Sequence, residues 1–356
     1  MGNSFGNKIK YTIFGESHGN AIGIVIDGLP SGIKLDINFI KEEMARRAPG
    51  RNEMSTSRKE GDSFEILSGY FEGRTTGTPL CSIIYNSDQH SKDYEKIKYV
   101  MRPGHADYTG YVRYSGFNDY RGGGHFSGRI TAPLVFAGAV AKIILKEKGI
   151  EVGSHVLSIK NVKDKYFDKV NVNKEMIMNL RKKYIPTIDE DAEIKMKDAI
   201  LNAKKEKDSV GGIIEAAIIN VPTGLGDPFF DSVESNISHI IFSVPAVKGI
   251  EFGTGFDITN MMGSEANDDY YYDNGKVKTY TNNNGGILGG ITNGMPIIFR
   301  AALKPTPSIG KKQRTIDIKD KKDTYIEVTG RHDPCIVLRA VPVIEAAASI
   351  AILDFL

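Results

Sequence analysis

The sequence predicts an α+β protein in which buried helices lie between sheets, built as one layered domain over residues 1–356. Short apolar segments of strand length recur between Gly/Pro turns along much of the chain. Two longer segments, 130–148 and 340–355, have helical length but are apolar nearly all round, so both faces must be buried. No repeat of 20–50 residues and no Pro/Ser linker divides the sequence, which favours one integrated layered unit.

The elements follow in order. Residues 21–30 (Ala-Ile-Gly-Ile-Val-Ile-Asp-Gly-Leu-Pro) read as a strand closed by a Gly/Pro turn. Asp36 can cap a helix running to about Arg47, where Pro49-Gly50 stops it. Residues 64–71 and 80–86 are strands around a turn-rich stretch at 73–77. The first buried helix, 130–148, ends at Gly149. Residues 189–207 form a polar helix laced with Lys, Asp and Glu, a solvated surface element. A short apolar strand covers 212–221, and 232–243 is helical. The polar segment 264–284 reads as an exposed hairpin or flexible loop, and 340–355 is the second buried helix.

Composition sets limits on function. With 46 basic against 44 acidic side chains, the net charge of +2 gives no global field for nucleic acid or a membrane surface. Cys81 and Cys335 are too few for a disulfide framework or a four-thiolate zinc site, which points to a reducing cytoplasm. The N-terminus lacks an apolar secretory stretch, and Lys142 and Glu345 interrupt the two most apolar tracts. The expectation is a soluble cytoplasmic protein with neither nucleic-acid nor membrane partners. Glycine is in excess, 38 of 356 residues, so many positions require positive φ or close approach.

Three tracts combine Gly with Arg, His, Ser or Asp beside an apolar element. They are Gly15-Glu16-Ser17-His18-Gly19; Arg102-Pro103-Gly104-His105-Ala106-Asp107 continued by Asp119-Tyr120-Arg121-Gly122-Gly123-Gly124-His125-Phe126-Ser127-Gly128-Arg129; and Gly330-Arg331-His332-Asp333-Pro334-Cys335. Glycines let backbone N–H groups approach an anion, and the following helix adds its positive end. Arginine supplies a fork for carboxylate or phosphate, while His and Asp move protons near neutral pH. Taken singly, each feature has a plain alternative. His18 can be structural, Gly122 to Gly124 a flexible loop, and Arg46 and Arg47 an offset to a helix dipole. His90, His155 and His239 lack such neighbours and read as structural. The histidines also lack metal-ligand spacing, so no metal site is expected. Residue types and spacing alone reach an enzyme acting on a polyanionic small molecule.

Together these tracts resemble the chorismate synthase family along essentially the whole chain. Gly15 to Gly19 with the strand to Pro30 is similar to that family's first signature, 102–132 to its second, and Arg331 to Glu345 to its third. Arg46-Arg47-Ala48-Pro49-Gly50, Ala246-Val247-Lys248-Gly249-Ile250-Glu251, Gly285-Gly286-Ile287-Leu288-Gly289-Gly290 and Lys304-Pro305-Thr306-Pro307-Ser308 extend the resemblance. It implies a β-α-β sandwich with buried helices between antiparallel sheets, assembled as a homotetramer. It implies a lyase of aromatic amino acid biosynthesis that converts 5-enolpyruvylshikimate 3-phosphate to chorismate by 1,4-elimination. Reduced FMN is the implied cofactor, without net redox change, and NADPH its candidate reductant.

Roles carry over by position. The resemblance assigns His18, with Ser17 beside it, to protonate the departing phosphate, and His105 to the flavin edge. It places Asp333 near flavin N5, with Ser127 in the same proton relay. Arg47, Arg102, Arg129, Arg331 and Arg339 would hold substrate anions, and Arg47 also NADPH. Flavin contacts correspond to His125, Phe126, Ser127, Pro245, Ala246, Gly289, Lys304, Pro305, Thr306, Pro307, Ser308 and Arg331. The chain departs from the family at three places. Many members have Arg-Ser-Ser-Ala-Arg at 125–129, Arg at Glu53 and Asn at Pro245. A phosphoanion-binding protein without flavin chemistry, using Lys311-Lys312-Gln313-Arg314 and 319–322 as a basic patch, is disfavoured because His18, His105 and Asp333 are all present.

Overall fold

A computed structural model describes residues 2–50, 54, 61–87, 92–95, 98–328 and 333–356. Two five-stranded antiparallel sheets enclose a layer of helices. The first runs, in spatial order, Ser4–Phe5, Lys10–Gly15, Ala21–Asp27, Leu80–Tyr85 and Phe64–Ser68. The second runs Val247–Phe252, Ile297–Leu303, Gly212–Ile219, Glu151–Ile159 and Val162–Lys163. Between them lie the Thr131–Glu147 and Val337–Leu353 helices, which pack on each other and on the Ile37–Arg47 helix. The expected helix-between-sheets architecture is therefore the one observed.

Local sequence accounts for the elements that set up this layer. Asp36 caps the Ile37–Arg47 helix by accepting from the Phe39 amide at 3.0 Å. The two central helices approach so closely that a Cβ on Gly138 would lie 2.2 Å from the Ala346 Cβ. Small residues at that crossing explain a glycine in mid-helix despite its cost there. The C-terminal helix starts earlier than expected, because Pro342 lies inside it rather than near its start. Just past its end, the Asp354 carboxylate accepts the amides of Asn7 at 2.6 Å, Lys8 at 2.8 Å and Ile9 at 2.9 Å, tying the two termini together. The polar 264–284 segment contains a helical turn, Gly263–Ala266, and a hairpin of Tyr270–Asp273 with Lys276–Thr279.

The charges that break the apolar tracts face one another. Lys142 Nζ lies 2.5 Å from both Glu43 and Glu345, and Arg46 reaches the same two carboxylates at 2.8 and 2.6 Å. Arg181 closes the network on Glu43 at 2.7 Å. Burial alone would raise the Glu43 carboxyl, but Lys142 and Arg46 outweigh it and hold it at about 2. The stretch Gly128–Glu147 is long and apolar enough to cross a membrane, yet 89% of its apolar window is buried in this core.

Candidate active site

The second sequence tract meets the first at a run of three glycines. Gly122, Gly123 and Gly124 have φ of 60°, 88° and 54°, a left-handed succession open to glycine and few other residues. Gly124 accepts the Ser17 amide through its carbonyl at 3.1 Å. A Cβ on Gly122 would sit 2.0 Å from His18 Cε1, and one on Gly123 would sit 2.9 Å from His105 Cε1. The glycines thus seat both histidines, which are distant in sequence, on one turn.

Each imidazole is oriented from its Nδ1 side. The Ser17 hydroxyl donates to the Arg121 carbonyl at 3.3 Å and lies 3.2 Å from His18 Nδ1, so its oxygen can accept from that nitrogen. The His18 ring, 3% exposed, stands edge-on to Tyr94 with centroids 5.2 Å apart. His105 Nδ1 lies 2.7 Å from Asp107, whose two oxygens also take the Arg102 fork at 2.7 Å each. Burial alone would raise the Asp107 carboxyl, but hydrogen bonds from His105 and Arg102 outweigh it and hold it well below the usual carboxylate range. Asp107 therefore stays ionised and holds the ring from its Nδ1 side, leaving Nε2 facing Gly123. Sequence reasoning quoted Asp107 but gave it no role; its place two residues after His105 was the available signal.

Three of the predicted arginines converge. Asp62, its side chain fully buried, accepts from Arg47 Nη1 at 2.5 Å on one oxygen and from Arg129 Nη1 on the other. Arg339 donates from Nε to the Arg47 carbonyl at 3.0 Å and from Nη1 to Asp333 at 2.5 Å. Burial, reinforced by the neighbouring Arg339 and Arg129, holds the Arg47 guanidinium down at about 10 in spite of Asp62. Arg129 also donates to Asn86 Oδ1 at 3.1 Å, and its amide to the Ser127 hydroxyl at 3.3 Å. Arg102 lies with the histidines, its fork committed to Asp107. Arg331 falls outside the described residues, as do Glu53 and His90.

Two of the segments assigned to a flavin, 245–246 and 304–308, meet beside Gly104. Lys304 Nζ donates to the Gly104 carbonyl at 2.5 Å, and a Cβ on Gly104 would lie 3.3 Å from Pro307. The Lys304 amide bonds the carbonyl of Ala246 at 2.9 Å, next to Pro245, and Ala246 itself has a left-handed φ of 75°. Pro305 and the buried Ser308 complete that strand-end loop, where the Thr306 hydroxyl is buried without a hydrogen-bond partner among the described residues. Gly289 lies instead in the hairpin between Ile287–Leu288 and Ile291–Thr292, whose Gly290 packs on Ser232. The two departures at 125 and 126 have structural uses. His125 Nδ1 donates to the Gly15 carbonyl at 2.7 Å, pinning the first tract, and Phe126 fills the space that Gly110 leaves open. No cluster of metal-ligating side chains occurs among the described residues.

Comparison with known proteins gives one answer. Residues 9–356 match the family model described as chorismate synthase. A protein of Thermococcus kodakarensis named chorismate synthase is 46% identical over 351 residues, covering 99% of this chain and 96% of the relative. One of Pyrococcus abyssi with the same name is 47% identical over 353 residues, covering 99% and 96%. A crystal structure of a chorismate synthase superposes with a TM-score of 0.75 at 30% identity, covering 99% of this chain and 92% of that one.

Proposed function

The chain belongs to the chorismate synthase family, and from that premise we propose that it is the lyase that removes phosphate and a ring hydrogen from 5-enolpyruvylshikimate 3-phosphate to give chorismate. The observation that supports this reading best is the seating of His18 and His105 on Gly122 and Gly123, beside a cluster of buried arginines. A substrate with two carboxylates and a phosphate needs concentrated positive charge within a protein of near-zero net charge. Arg47, Arg129 and Arg339 concentrate it.

In this reading His18 delivers a proton to the departing phosphate, its Nδ1 side set by Ser17. Arg129 and Arg47 orient the substrate anions, and Arg331 joins them. Asp333, steadied by Arg339, takes up a proton, with Ser127 in the same relay. The loop at Ala246 and 304–308 fits a phosphate-bearing cofactor in chemistry, since it carries a lysine against Gly104 and, on Thr306, a buried hydroxyl without a hydrogen-bond partner among the described residues. Reduced FMN bound there would supply electron density as the carbon–oxygen bond breaks. His105, held by Asp107, would keep the proton at that edge.

The test is anaerobic turnover with FMN and a reductant. Chorismate should form only with reduced flavin, yet without stoichiometric consumption of reductant; one reductant spent per product overturns the reading. FMN with NADPH alone tests whether NADPH is the reductant, with Arg47 as its contact. One domain, a homotetramer and a cytoplasmic location belong to the same proposal.

A further inference from the structure

Arg47 and Arg129 are 3% and 6% exposed, and they share one carboxylate. Asp62 gives each guanidinium one oxygen, the bridging arrangement in which two arginines would hold a ligand carboxylate or phosphate. Its backbone has φ of 47°, a left-handed conformation uncommon outside glycine and often found where strain serves a site. It lies outside regular structure, between Gly61 and the Phe64–Ser68 strand, so it can move without breaking a sheet. Positive charge is in excess around it: Arg47 stays depressed by burial, with Arg129 and Arg339 adding repulsion.

We propose that Asp62 is an internal counter-ion that occupies the ligand-oxyanion position between Arg47 and Arg129, and that an entering carboxylate or phosphate displaces it. The inference rests on the reading that these arginines hold substrate anions. Two buried guanidiniums with no carboxylate between them would repel each other, so the empty enzyme needs Asp62 to keep them in place. A second anion cannot share the pair without like-charge repulsion. Asp62 therefore sets the affinity threshold that a substrate must exceed.

Calorimetric titration of inorganic phosphate and of malonate into wild type, Asp62→Asn and Asp62→Ser tests this. The variants should bind at least one of these anions about tenfold more tightly than wild type. They should also melt lower without ligand, with the gap closing as that anion is added. The probe with the larger gain identifies whether a phosphate or a carboxylate takes the position. Folded variants that bind both anions no more tightly than wild type overturn the proposal. A variant that folds only with phosphate or malonate supports it, and one that neither rescues counts against it. Arg129→Ala separates the two readings. If it leaves anion binding unchanged, the arginine assignment fails; if it abolishes binding while the Asp62 variants gain nothing, only the counter-ion role fails.

Discussion

His18 and His105 rest on consecutive glycines: a side-chain carbon on Gly122 would overlap the His18 ring at 2.0 Å, and one on Gly123 would crowd the His105 ring at 2.9 Å. Their separation in space is thus set by a single turn rather than by the two distant segments that carry them. Ser17 and Asp107 fix the Nδ1 sides, so both rings have defined positions as well as defined faces.

Gly122→Ala tests that arrangement. The new methyl must push His18 from its seat and also takes a left-handed φ, a strain of about 1 kcal/mol or more. Turnover should fall by at least ~100-fold, the lower range for a displaced acid–base group. Circular dichroism melting should show only a modest loss of stability. Near-normal turnover would mean that His18 does not act from this position.

Arg129→Ala should weaken substrate binding by about 2–5 kcal/mol, the usual cost of removing one partner of a buried charge pair. FMN affinity should change far less. The variant also leaves Asp62 with only Arg47 of the two guanidiniums, so stability should drop. Adding Asp62→Asn strips Arg47 of its carboxylate, so it should lower the melting temperature further and leave substrate affinity below that of wild type. Full wild-type affinity in the double variant would remove Arg129 from the substrate site.

A pH prediction comes from the second sheet. His155, Glu215, Arg300 and Glu251 are cross-strand partners in register, on four neighbouring strands. His155 lies 3.0 Å from both Asp164 and Glu215. Burial alone would lower its pKa, but the hydrogen bonds to Asp164 and Glu215 outweigh it and raise it. A raised folded-state pKa adds stability that is complete below the unfolded value of about 6.5 and is lost as pH rises through the folded value. The melting-temperature advantage of wild type over His155→Gln should therefore be largest in acid and shrink with rising pH. An advantage that grows with pH would refute the charged state.

The fold was legible where the pattern was local. Helices apolar all round can only be buried, and the two charges inside them, Lys142 and Glu345, pair with each other. The site was legible where glycine accompanied His or Arg, because close approach requires the missing side chain. Asp62 was not legible: it lies alone in a polar stretch, and only the folded chain brings it to two arginines. The His155 network was hidden for a related reason. Strand register, not sequence neighbourhood, sets Glu215 opposite both His155 and Arg300.

The strongest separation of chemistry from binding comes from His18 and Asp333. They lie in the first and third sequence tracts, and each is held by a polar neighbour, Ser17 for one and Arg339 for the other. If they serve opposite ends of one elimination, removing either should leave ligands bound and slow the chemical step. His18→Ala deletes the proton donor. Asp333→Asn deletes the base with little change of shape, though it also weakens the tie to Arg339. Positioned acid–base groups contribute about 10²–10⁴-fold in rate, so both variants should bind FMN and substrate but turn over at least ~100-fold more slowly. A purely structural role predicts the reverse, a lower melting temperature with normal turnover per folded molecule. Melting temperature and single-turnover rate, measured on the same preparations, decide between them. A stable, ligand-binding Asp333→Asn variant with near-normal turnover would place the proton relay elsewhere.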